Sequence, residues 1–121
     1  MKITLNRKDI DEVIKKYYSE VEGIDVIVSV KDVSDTPNEE IYLLTVMHSI
    51  KFAGETFNAE EEISSFKLAD ILNYFATDDY NITHFDLKTY DSRSPKGEIY
   101  KETKLNIEIE PTKQKNRKLN K

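Results

Sequence analysis

Two segments of this chain carry the same apolar stripe. Shifted by 58 positions, Ile10, Val13, Ile14 and Tyr17 fall on Leu68, Ile71, Leu72 and Phe75. That spacing places each set on one face of a helix. The match continues past the helices. Ser34 meets Ser92, Pro37 meets Pro95, Glu40-Ile41-Tyr42 meets Glu98-Ile99-Tyr100, and Thr45 meets Thr103. Self-similarity at a fixed offset is the mark of a duplicated unit.

Each helix is followed by β-branched, alternating runs. Asn6 is suited to cap the first helix, with Asp9 in its first turn and Leu5 and Ile10 placed as a staple. Gly23 is suited to end it. Ser64 or Ser65 caps the second. Strands are expected over Ile24 to Val33, Ile41 to Phe52, Glu55 to Ile63, Asn81 to Tyr90 and Ile99 to Ile109, with turns at 34–38, 53–54 and 91–97. The fold class is therefore α+β. Two tandem βαββ units, about 1–53 and 55–110, are expected to form a mostly antiparallel sheet with both helices on one face and a pseudo-two-fold axis. Residues 1–110 make one domain; residues 111–121 are expected to be a disordered tail.

The halves differ in one respect. The strand from Ile41 to Phe52 is apolar on both faces: Ile41, Leu43 and Met47 on one, Tyr42, Leu44, Val46, Ile50 and Phe52 on the other. Its counterpart alternates with charge. A strand greasy on both sides is either covered or offered to a partner. Tyr42, Leu44, Val46, Ile50 and Phe52, with Tyr100 from the matching hairpin, are the candidate partner-binding residues.

Charge is uneven. The chain carries 18 basic and 23 acidic residues, a net −5. Residues 111–121 hold Lys113, Lys115, Arg117, Lys118 and Lys121 and no acid, so the rest is −10. An acidic body repels nucleic-acid phosphate, leaving the tail as the only basic contact for it. Glu39, Glu40, Glu60, Glu61, Glu62, Asp78 and Asp79 are the candidates for an acidic surface that imitates nucleic acid and inhibits a DNA-handling enzyme.

Motifs for chemistry are sparse. There is no cysteine, so disulfides, thiolate metal sites and thiol catalysis are excluded. Three glycines cannot make a phosphate cradle. His48, His84 and Asp86 would form a two-histidine, one-carboxylate metal site only if their strands converged. Ser64-x-x-Lys67 has the spacing of a serine and its lysine base, but Ser64 already serves as a cap. No cofactor is expected. Met1 to Thr4 lacks an apolar signal core and no long apolar run follows, which makes the expected location cytoplasmic and away from membranes. The expected function is a non-catalytic domain that binds a protein partner or itself as a homodimer. Its size and acidity suit an accessory protein of a phage or mobile element. An enzyme is the outlying alternative, through the two histidines and Asp86.

Overall fold

A computed structural model describes residues 1–112. β1 (Lys2–Leu5) runs into α1 (Arg7–Tyr17) through a capping box. The Asn6 side chain accepts from the Asp9 amide at 2.9 Å, and the Asp9 carboxylate accepts from the Asn6 amide at 3.2 Å. The stripe buries Ile10 and Ile14. The last turn widens into a π-helical turn, Tyr18–Glu22, which buries Tyr18 completely and ends at Gly23 with φ +68°. Only glycine holds that left-handed conformation without cost. α2 (Ser65–Phe75) starts at Ser64, whose hydroxyl accepts from the Lys67 amide at 3.1 Å, and buries Leu68, Ile71 and Leu72.

The strands are β2 (Ile27–Asp32), β3 (Tyr42–Phe52), β4 (Glu55–Ile63), β5 (Tyr80–Arg93) and β6 (Ile99–Pro111). The chain is α+β, but the single sheet read from the sequence is two. The orders are β1-β6-β5 and β2-β3-β4, both antiparallel. The hairpins β3–β4 and β5–β6 pair along nearly their whole length, and β2 and β1 each complete a separate sheet. α1 touches β1, β6 and β2 and so spans both sheets. One core joins them: Ile10, Ile14 and Tyr18 from α1 and its π-turn, Leu68, Ile71 and Leu72 from α2, Val28, Leu44, Val46 and Ile63 from one sheet, Leu105 and Ile107 from the other.

Register decides which faces meet that core. A bulge in β5 between Ile82 and His84 adds one residue, so Ile82, Phe85 and Leu87 all turn inward. His84 and Asp86 turn outward.

Candidate functional site

β2 supports β3 only as far as the pair Ile27–Met47. Beyond it, His48 to Phe52 pairs with β4 alone, from His48–Ala59 to Phe52–Glu55. The result is a two-stranded arm. Its turn is Ala53-Gly54, with φ of +54° and +80°, the type that matches hairpin twist.

Side chains alternate across a strand, so Leu44, Val46, His48, Ile50 and Phe52 share one face. Along it, cover runs out. Leu44 and Val46 are 2% and 0% exposed, whereas Ile50 is 42% and Phe52 70%. Phe57, the cross-strand partner of Ile50, is 47% exposed and meets Phe52 edge-on with ring centres 6.5 Å apart. The apolar surface of the arm thus continues the core face outward. Opposite, the paired Ile27 and Met47 are also exposed.

The six candidate partner-binding residues therefore separate. Leu44 and Val46 belong to the core, because β2, Ile63 and the helices cover that half of β3; they are withdrawn from any surface. Ile50 and Phe52 stay exposed on the arm. Tyr42 and Tyr100 line a different place, an open cleft of about 780 Å³ between the two sheets, with Arg7, Asp32, Thr103 and Lys101. There Arg7 is engaged by Asp11 and donates to the Val28 carbonyl at 2.7 Å. Lys101 bridges Asp91 at 2.7 Å and Glu40 at 3.7 Å. Its hydrogen bond to Asp91 raises the Lys101 pKa. Hydrogen bonding from Ser34 lowers that of Asp32.

The acidic candidates do not share a face. Glu60 and Glu62 lie on one side of β4 and Glu61 on the other. Glu39 and Glu40 stand beside the β5–β6 tip, where Glu40 meets Lys101, while Asp78 and Asp79 precede β5 at the far end of that hairpin. The tail residues Lys113, Lys115, Arg117 and Lys118 lie outside the described residues.

Catalytic geometry is not assembled from the motifs. His48 sits in β3, whereas His84 and Asp86 face outward from β5 in the other sheet, where Asp86 meets Lys88 at 3.5 Å. Among the described residues no three histidine or carboxylate side chains gather as a metal site. The Ser64 hydroxyl is spent on the Lys67 amide, and the Lys67 amine reaches Glu22 at 3.4 Å and lies 5.1 and 5.3 Å from the ring centres of Tyr17 and Tyr18. Burial is the largest single influence and would lower the pKa of Lys67, but Glu22, Tyr17 and Glu61 together outweigh it and the net direction is up. A lysine base needs the opposite shift.

Tyr18 continues the stripe of Ile10 and Ile14 into the core. Its hydroxyl is buried with no hydrogen-bond partner in bonding geometry among the described residues. Burial, then the charges of Glu61 and Glu22, hold its ionisation above the ordinary phenol range. Phe57 stands between Thr56 and Asn58, outside any apolar stripe of the sequence. Counting back from the Ala53-Gly54 turn pairs it with Ile50, and that register is the signal that finds it. No helix among the described residues is long and apolar enough to cross a membrane. No family model, no curated protein and no solved structure matches the chain.

Proposed function

We propose that this chain is a non-catalytic protein-binding domain whose contact surface is the β3–β4 arm. One observation carries the reading: Ile50, Phe52 and Phe57 stand uncovered on a hairpin that has lost its third strand. A two-stranded hairpin is marginal in water, and an uncovered apolar extension of a core face is typical of an interface. An enzyme reading has no comparable support, since its histidines face different ways and its only serine–lysine pair is committed elsewhere.

The same reading takes the fold as two βαββ units related by a pseudo-two-fold axis, each lending its first strand to the hairpin of the other. The pairing of β1 with β6 and of β4 with β3 supports it. In that arrangement the arm joins one strand from each unit, β3 and β4.

The test places a photo-reactive amino acid at Phe52 in the native cell, with the same group at Lys88 on the outer face of β5 as control. The expected result is a covalent protein adduct, to another protein or to a second copy, from position 52 and not from position 88. Equal labelling at both positions, or none at either, would remove the arm from consideration.

A further inference from the structure

Resting on the reading of the arm as a protein-binding surface, we infer that its occupant is a lysine- or arginine-rich extended segment of another protein, added as a strand along the free edge of β4. Three observations converge. First, β4 is the last strand of its sheet: β3 pairs with one side of it from Glu55 to Ile63, and among the described residues no strand pairs with the other. Its outer row of amides and carbonyls is a template for an added strand. Second, the residues that would flank such a strand are acidic around one aromatic. From Met47 to Glu62 the arm holds Glu55, Glu60, Glu61 and Glu62 against Lys51 alone, a net −3 with histidine neutral. Of the four acids only Glu60 has an ion-pair partner among the described residues, Lys31 at 3.1 Å. Third, the side chain at the centre of the edge is Phe57, exposed and continuous with Phe52 and Ile50.

Cross-strand neighbours interact directly, and like charges placed opposite each other destabilise a sheet. An added strand therefore needs an apolar residue level with Phe57 and basic residues level with Glu55 and with Glu60 to Glu62. A second copy of the arm fails that requirement, because pairing β4 with itself gathers eight carboxylates against two copies of Lys51 and Lys31. The charge pattern thus selects a basic foreign segment over self-pairing. Edge hydrogen bonds supply affinity in this mode, and alternate side chains supply specificity.

The probes are two labelled synthetic peptides of equal length, Lys-Lys-Lys-Val-Thr-Phe-Thr-Lys and the analogue with each Lys replaced by Glu, titrated against the full chain by fluorescence anisotropy. Antiparallel to β4, the first sets its lysines level with Glu62, Glu61, Glu60 and Glu55 and its Phe level with Phe57. We expect the lysine peptide to bind at least tenfold more tightly, with the advantage falling several-fold between low and high salt. Glu61→Lys with Glu62→Lys should remove the preference, and Phe57→Ser should weaken both peptides alike; all three positions are at the surface, and circular dichroism checks the fold of each variant. Equal binding of the two peptides, or binding of neither, would overturn the inference. A chain that self-associates by light scattering, loses the dimer in Phe52→Asp and binds no peptide would keep the arm as a contact surface and overturn only its occupant.

Discussion

Beyond Leu105, where β1 stops, the β5–β6 hairpin continues as two strands, as β3–β4 does beyond Met47. The two extensions are finished differently. On β5–β6 the Thr89 and Thr103 hydroxyls lie 3.2 Å apart, Ser92 donates to Glu102 at 2.7 Å, and Lys101 ties Asp91 to Glu40 in the 33–41 loop. The exposed large apolar side chains of that extension are Tyr90, over whose ring the Lys104 amine lies at 5.9 Å, and Ile99 and Tyr100 at the tip. On β3–β4 the cross-strand side-chain contacts are Ser49 with Asn58 at 3.4 Å and the Phe52–Phe57 pair. One hairpin fastens itself with polar links that water tolerates. The other is left apolar where no described residue covers it. A projecting hairpin in this fold does not require an apolar surface, and that contrast is what the proposal of a partner at the arm rests on.

The largest expected effect lies within β3 itself, because the strand is core at one end and arm at the other. Leu44→Ala should cost about 3 kcal/mol in denaturant unfolding, as truncation of a buried leucine does. Phe52→Ala, eight residues along the same face, should change stability by no more than about 0.5 kcal/mol, as exposed positions do. Equal costs at the two sites would mean that the arm is packed in solution and would erase the contrast between the hairpins.

That division of β3 also marks how far the sequence could be read. The helices, their caps and the antiparallel hairpins were legible, because stripe spacing, Asn6, Ser64 and the Ala53-Gly54 break are local signals. The two apolar faces of β3 were legible too. Their meaning was not, since Leu44 and Ile50 look alike in a pattern of period two. What separates them is where β2 ends, at Ile27–Met47, a pairing between residues distant in sequence. The split into two sheets was hidden for the same reason: it depends on β1 meeting β6 across the length of the chain. Tyr42 and Tyr100 both line the cleft between the sheets, apart from the arm.

A smaller effect is expected at the tip of the arm. Ala53 holds φ +54°, a left-handed conformation that opposes an L side chain. Ala53→Gly should stabilise the hairpin by roughly 0.5–1 kcal/mol, the relief of that conformation less the entropy glycine loses. Because the arm can open without the core, the gain should appear as slower hydrogen exchange at residues 47–60, up to about fivefold, with the global unfolding midpoint unmoved. A shift of the global midpoint with no local change would show that arm and core open together.

The smallest effect belongs to the fastened hairpin, and its sign follows from two pKa shifts. Lys101 has its pKa raised above 10.5 by the hydrogen bond to Asp91, so its contribution is complete below that value and is lost as pH rises through the folded pKa. Asp32 has its pKa lowered below 3.8 by Ser34, so its contribution is complete above that value and is lost as pH falls through the folded pKa. Between about pH 5 and 9 both ties are fully made. Amide chemical shifts of residues 33–41 and 91–101 should therefore be flat across that span and move together above pH 10.5, as Lys101 releases Glu40 and Asp91. Both groups are exposed, so added salt should weaken the coupling. Lys101→Met should loosen the 33–41 loop at neutral pH and leave exchange in the arm unchanged. A response of the arm to Lys101→Met would mean that the two hairpins are coupled through the core, and the uncovered surface on β3–β4 would then have to be explained from within the chain.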